Sequence, residues 1–172
     1  MIYSEFKKIK CIVLDVDGVL TDGKILMTED GQALRSFNVK DGYAIQHAIK
    51  QGYKIFVLTG GYSESIKKRC EMLSIEEIHM GLSDKLSILN FLLEKYALKS
   101  EEVLMIGDDM PDYECMLNVG IAIAPSDAVD DIKKLCQYIS THAGGQGVVR
   151  EIIEKVMKLQ GTWFTHNSEK SI

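Results

Sequence analysis

The chain has 172 residues, 46% of them hydrophobic and 26% charged, with a net charge of −5 at pH 7. That length suits one folded unit with a sizeable core, and the acidic balance argues against a nucleic-acid or anionic-membrane partner. The four cysteines, Cys11, Cys70, Cys115 and Cys136, are scattered without a C-x-x-C pair, which favours reduced thiols and a cytoplasmic setting over a disulfide framework or a zinc site.

The opening Met-Ile-Tyr-Ser-Glu-Phe-Lys-Lys lacks the apolar stretch of a signal peptide, and no apolar run nears the ~20 residues of a membrane span. Residues 9–14 read as a strand buried on both faces, ending on Asp15-Val-Asp17-Gly18. In extended backbone, side chains at i and i+2 share a face, so both carboxylates address one small volume. Side by side they repel and one pKa rises, unless a cation or substrate lies between them. A lone D-x-D-G is an ordinary turn; the rest of the chain decides its meaning.

Residues 24–27 and 32–39 flank Glu29-Asp30-Gly31, a β-hairpin signal. Ala44, Ile45, Ala48 and Ile49 have helical spacing, with Gly52 as the stop. A second buried strand, 53–58, ends in Thr59-Gly60-Gly61. Ser63 is placed to cap a helix to about Leu73. A short strand within 75–80 is followed by a helix with Ser83 as its expected cap, whose Leu86, Leu89, Phe91, Leu92 and Leu93 predict a broad buried face. The strand 102–106 ends in Gly107-Asp108-Asp109, and Pro111 fits the first turn of the helix behind it. Asn118-Val119-Gly120 closes that helix before a strand at 121–124. A short helix after Ser126, a strand near Tyr138-Ile139, the loop Gly144-Gly145-Gln146-Gly147 and a helix over about 148–159 complete the pattern. The expected organisation is one domain over 1–160 and a polar, loose tail over 161–172.

Strands alternating with helices imply a parallel sheet covered on both faces, and ligands in such sheets bind outside the carboxyl ends of the strands. Asp15, Asp17, Thr59, Asp108 and Asp109 all fall there, with Lys85 at a loop-to-helix entry. Converging carboxylates suit Mg2+, which takes oxygen ligands and fills its shell with water and phosphate oxygens. Asp15 can attack phosphorus to form an aspartyl-phosphate, and Asp17 can act as general acid and base. Thr59 and the Gly60 amide can hold phosphoryl oxygens, and Lys85 can balance their charge.

With D-x-D-G, a strand-end Thr59, Lys85, and Gly107-Asp108-Asp109-Met-Pro-Asp112 in that order, the chain resembles the haloacid dehalogenase-like (HAD) phosphohydrolases. The resemblance implies a three-layer Rossmann-like fold, Asp15 as nucleophile and Asp17 as acid/base. It further implies a metal held by Asp15, the Asp17 backbone carbonyl and Asp108, with Asp109 and Asp112 in support. A receiver domain also joins acids, Thr and Lys around Mg2+, but its phosphoacceptor ends the third strand rather than the first. Between Asp15 and Thr59 there is room only for the hairpin and one helix, and between Thr59 and Lys85 for one helix and a short strand. No cap domain fits, and a capless member either works on macromolecules or closes its site by oligomerising.

The segments Thr21-Asp-Gly, Phe37-Asn-Val-Lys-Asp41-Gly42, Gly81-Leu-Ser-Asp84-Lys85 and Gly-Gly-Gln-Gly147-Val-Val-Arg150-Glu are similar to those of the 3-deoxy-D-manno-octulosonate (KDO) 8-phosphate phosphatases. This implies a small sugar-acid phosphate as substrate, lipopolysaccharide precursor synthesis as setting, and a homotetramer built on the protruding hairpin, residues 24–39. It also implies that a neighbour's C-terminal segment, with Gly144–Gly147 and Arg150, helps to cover each site. After Leu-Thr-Gly that group often has Arg, and the 2-keto-3-deoxynononate (KDN) 9-phosphate enzymes have Glu, where this chain has Gly61. Met72 stands where the nononate type's extra Lys is expected, so the octulosonate is the favoured sugar. Gly60, Gly61, Arg69 and Arg150 are the candidate substrate-binding residues. A KDN or sialic-acid 9-phosphate phosphatase and a non-catalytic, phosphatase-like assembly module are the alternatives; the presence of every motif residue speaks against the module. The four histidines have no ligand spacing and read as structural or solvated.

Overall fold

In the computed structural model, which describes residues 2–163, the apolar runs become a six-stranded parallel sheet. The strands of the chain are β1 (Cys11–Leu14), β2 (Leu26–Met27), β3 (Ala33–Leu34), β4 (Lys54–Leu58), β5 (Glu77–His79), β6 (Val103–Ile106), β7 (Ile121–Ala124) and β8 (Tyr138–Ile139). The helices are α1 (Ile2–Phe6), α2 (Val39–Lys50), α3 (Glu64–Met72), α4 (Lys85–Lys95), α5 (Tyr113–Leu117), α6 (Asp130–Leu135) and α7 (Val148–Gln160). The large sheet runs β5-β4-β1-β6-β7-β8, while β2 and β3 form a separate antiparallel hairpin.

Both sheet faces are buried, so the central strands β1, β6 and β7 are apolar at every position and the strands alternate between two cores. Ile12, Leu14, Ile55, Val57, Leu104, Ile106, Ile121 and Ile123 meet Ala44, Ile45, Ile66 and the α7 residues Ile152, Ile153 and Val156. Cys11, Val13, Phe56, Leu58, Val103, Met105, Ala122 and Ala124 meet Leu89, Leu92, Cys115, Met116 and Ile132. This is the period-2 pattern of a sheet between two helical layers. The three layers confirm the expected fold class. Only the hairpin and α2 lie between β1 and β4, and only α3 between β4 and β5, so the layers carry no inserted cap there.

The order of strands positions the site. From β1 the chain crosses to β4 and β5 on one side, then returns to β6, β7 and β8 on the other. Beyond the carboxyl end of β1 the connections diverge, which opens a crevice at the point where ligands bind in such sheets.

Several local expectations change. The helix after β5 is capped by Asp84, not Ser83: the Asp84 carboxylate accepts from Ser87 N at 3.0 Å. On α4, Leu89 and Leu92 are buried but Phe91 is exposed, because its position turns away from the sheet. The helix expected directly after Ser126 begins at Asp130, and Pro111 sits in a short 3-10 turn, Met110–Asp112, ahead of α5. The start of the tail is packed rather than loose. Trp163 lies edge-on to Tyr43 and His47, and its carbonyl is 2.8 Å from His47 Nε2. The expectation for 164–172 lies outside the described residues.

Candidate active site

The cleft begins where β1 stops. Asp15 is still extended, its N–H donating to Ile106 O at 3.2 Å, and Val16–Leu20 then form one wide turn closed by Thr21 N to Val16 O at 3.0 Å. The turn needs Gly18 twice over. Its φ is +86°, and a Cβ there would stand 2.0 Å from Asp108 Oδ2. The Asp108 carboxylate therefore lies directly against the D-x-D-G backbone.

Lys85 is the buried cation of the cleft. From the first turn of α4, its Nζ donates to Asp15 Oδ1 at 2.9 Å and to Asp112 Oδ1 at 2.7 Å. Asp112 Oδ2 accepts from Asp108 N at 3.1 Å, so both of its oxygens are engaged in holding the Lys85 head and the loop after β6. Asp15, Asp108 and Asp112 offer oxygens within 4.8 Å of one another. With all three ionised, three carboxylates against one ammonium would leave a local surplus of two negative charges.

That surplus shows in the titration of the group. Burial, reinforced by the negative charges of Asp15 and Asp112, pushes Asp108 up to about 8. Burial and the Asp112 charge also raise Asp15, against the opposing pull of Lys85. Asp112 is raised by its burial too. Burial works to lower Lys85, but Asp15 and Asp112 outweigh it and raise the ammonium's pKa. The cation is compensated twice over and the acids are under-compensated. Asp108 Oδ1 is buried with no hydrogen-bond partner among the described residues. An unpaired oxygen, a −2 surplus and hard oxygen donors fit a divalent cation.

Asp17, two residues after Asp15, lines the same cleft of about 280 Å3 together with Thr59, Gly60, Gly61 and Asp109. Asp17 takes no part in the Asp15–Lys85 group. Its carboxylate is forked by Arg35, with Nε to Oδ1 at 2.6 Å and Nη2 to Oδ2 at 3.0 Å. Arg35 follows β3, so the hairpin reaches into the cleft of its own chain. Thr59 is buried, and its hydroxyl accepts from Gly61 N at 3.1 Å. Asp109 caps the Met110–Asp112 turn by accepting from Met110 N at 2.7 Å.

Two sequence candidates stand elsewhere. Arg69 on α3 packs under Gly42 and donates to Asn38 O at 3.5 Å, with its Nε buried and without a hydrogen-bond partner among the described residues. Arg150 on α7 pairs with Glu154 at 2.7 Å, and its guanidinium lies 4.5 Å from the Trp163 ring centre. It borders a larger cavity of about 550 Å3, which three lysines and two glutamates also line and where Asp15, Asp108 and Asp112 are absent. The glycine loop meets this chain's own first motif: a Cβ on Gly144 would be 2.0 Å from Gly18 O, and Gly145 N donates to Val19 O at 2.9 Å. It buttresses the D-x-D-G turn from behind.

Arg35 is the residue that sequence reasoning missed. An arginine in a short hairpin reads as a surface charge. The one signal available was Gly61, whose missing side chain leaves space beside Asp17.

Comparison with known proteins gives a consistent result. Residues 74–152 match the haloacid dehalogenase-like hydrolase family. The chain is 37% identical over 160 residues to the 3-deoxy-D-manno-octulosonate 8-phosphate phosphatase of Escherichia coli K12, covering 93% of this chain and 85% of that protein. Its fold superimposes with a TM-score of 0.92 on the phosphatase of the same name from Yersinia pestis, at 33% identity, covering 94% of this chain and 87% of that one. The TM-score is 0.91, again at 33% identity, with the Moraxella catarrhalis enzyme in complex with a magnesium ion, a phosphate ion and KDO, covering 94% and 93%.

Proposed function

The chain belongs to the haloacid dehalogenase-like hydrolases, and on that premise we propose that it is a Mg2+-dependent phosphatase converting KDO 8-phosphate to KDO and phosphate. The observation that carries this reading is the group Lys85–Asp15–Asp108 at the carboxyl end of β1: a buried carboxylate held by an ammonium beside a second, unpaired carboxylate. The named activity of the 37%-identical relatives supplies the sugar.

In this mechanism an Asp15 oxygen attacks phosphorus, forming an aspartyl-phosphate as the bond to the sugar oxygen breaks. Asp17 gives that leaving oxygen its proton, then takes one from water as the water attacks phosphorus, releasing phosphate and restoring Asp15. The Thr59 hydroxyl and Gly60 amide hold phosphoryl oxygens, and Lys85 balances the charge on Asp15 and the transferring group. Asp15, Asp108 and the Asp17 backbone carbonyl would hold Mg2+, supported by Asp109 and Asp112. When bound, Mg2+ supplies charge stabilisation for the phosphoryl oxygens.

The reading extends to assembly and setting. Ile25, Leu26, Met27 and Leu34 are exposed on the hairpin, an apolar surface suited to burial against further copies in a homotetramer. In such an assembly Arg150 and the C-terminal segment would serve a neighbour's substrate rather than their own, Arg150 exchanging its pairing with Glu154 for the ligand. The free cysteines and a sugar-acid phosphate substrate suit a cytoplasmic step of lipopolysaccharide precursor synthesis. Among the described residues no helix is long and apolar enough to cross a membrane.

The test is phosphate release by purified protein, with Mg2+ or with a chelator, from KDO 8-phosphate, KDN 9-phosphate and neutral sugar phosphates. Mg2+-dependent turnover with the highest kcat/KM on KDO 8-phosphate is expected. A higher value on the nononate would replace the substrate, and no turnover on any phosphate would remove the activity.

A further inference from the structure

Two cations meet the carboxylates of the cleft, Lys85 in its lining and Arg35 through Asp17, and the first is fully committed. Lys85 is shared between Asp15 and Asp112, both of which also belong to the phosphoryl end of the site. A sugar-acid phosphate brings a second anion, its carboxylate, and Arg69 and Arg150 stand outside this chain's cleft. Arg35 remains.

Its geometry leaves it able to bind. A guanidinium has five N–H donors. Nε and Nη2 each give one to Asp17, and Nη1 gives one to Ala33 O at 3.3 Å. One N–H on Nη2 and one on Nη1 are left. The Arg35 side chain is only 4% exposed, and what space borders its Nη2 exists because Gly61 has no side chain: a Cβ there would stand 3.3 Å from Nη2 and 3.1 Å from Asp17 Oδ2, both tighter than ordinary contact. The ion pair with Asp17 holds the planar group in place, so little rotamer freedom remains to be lost on binding.

We propose that Arg35 determines specificity by receiving the carboxylate of the substrate, presented beside Gly61 by its fork on Asp17. The inference rests on the sugar-acid phosphatase reading and adds the residue that reads the acid. The fork also leaves Asp17 competent. A carboxylate has about four acceptor sites; the fork uses two and the Thr21 hydroxyl, 3.5 Å from Oδ1, a third, so Asp17 keeps one for the leaving oxygen.

The test compares kcat and KM for KDO 8-phosphate and for glucose 6-phosphate, a terminal phosphate on a sugar without a carboxylate, in the wild type, Arg35→Lys and Arg35→Ala. Thermal melting of each variant checks the fold, and Arg35→Lys keeps the charge should the alanine variant melt early. Losing charged hydrogen bonds is expected to lower kcat/KM for KDO 8-phosphate in Arg35→Ala by roughly 10- to 100-fold, mainly through KM. Arg35→Lys, a point charge without the fork, should recover only part of this. Glucose 6-phosphate also depends on Asp17 and should lose activity with it, but by a factor at least about threefold smaller than the loss on KDO 8-phosphate, as expected when one of the two lost contacts is one it cannot make. Equal losses on both substrates would overturn the proposal and make Arg35 a positioning residue for Asp17 or a phosphate contact; no loss on either would overturn it too. If the wild type itself shows no preference for the sugar acid, the phosphatase reading fails first and the inference falls with it.

Discussion

Asp108 Oδ1 is buried without a partner, and its neighbour Asp15 shares a single lysine with Asp112. Such a group carries its own pH signature. The Asp108 pKa is raised from 3.8 to about 8 and that of Asp15 is raised as well, so the native protein keeps protons that the unfolded chain releases near pH 4. Stability without metal must then fall as pH rises from about 4 through about 8. Mg2+ binds the ionised carboxylates, so its stabilising effect should grow over the same interval. Melting curves with chelator and with Mg2+ between pH 5 and 8.5 check this, and a Mg2+ effect independent of pH would contradict it. A second prediction concerns Gly61. In Gly61→Glu the new carboxylate is placed to pair with Arg35, which should lower kcat/KM for KDO 8-phosphate by roughly tenfold. The preference over KDN 9-phosphate should narrow or reverse, and an unchanged ratio would mean that Gly61 does not border the sugar. The convergence of Asp15, Asp17, Thr59 and Asp108 was legible because each ends a strand of one parallel sheet. Arg35 was not, because its partner Asp17 lies 18 residues away and only the path of the hairpin brings them together.

At the scale of elements, α2 and α7 are tied end to end. Asp41, in the first turn of α2, is buried, and its Oδ1 accepts from Arg150 N at 2.7 Å at the start of α7, while Oδ2 has no hydrogen-bond partner among the described residues. Burial pushes its pKa from 3.8 to about 6, against the helix amides that favour the charge. A raised carboxyl pKa is a stability contribution lost as pH rises, here from about 4 through about 6, and worth up to about 3 kcal/mol. Asp41→Asn keeps the accepting oxygen without the charge, so its melting temperature should vary less than the wild type's over that interval. An equally steep decline in the variant would show that another group titrates. This latch explains why Arg150 could not be placed from sequence. Its register on α7 was clear, but Trp163 and Glu154, which turn its guanidinium away from the cleft, act through packing that no local pattern records. Phe91 failed for a related reason: the run from Leu89 to Leu93 is apolar at four of five positions, while only one stripe of α4 faces the sheet.

For the molecule as a whole, a three-layer fold whose cleft opens at the carboxyl end of the central strand β1 leaves its hairpin and its cleft both exposed to solvent. Replacing Leu26 and Met27, which are 68% and 60% exposed, by glutamate should leave the fold intact and, on the proposed homotetramer, yield smaller species. Sedimentation of the double variant measures this, and an unchanged mass would remove the hairpin from the interface. The central claim is that Asp15 receives the phosphoryl group. Asp15→Asn keeps the shape and a hydrogen-bond acceptor for Lys85 but is a poor nucleophile. The most direct measurement is single-turnover phosphate release from KDO 8-phosphate with Mg2+, for the wild type and for Asp15→Asn shown by circular dichroism to be folded. The account predicts a fall of roughly 10³-fold or more in the variant; release within about tenfold of the wild type would contradict it.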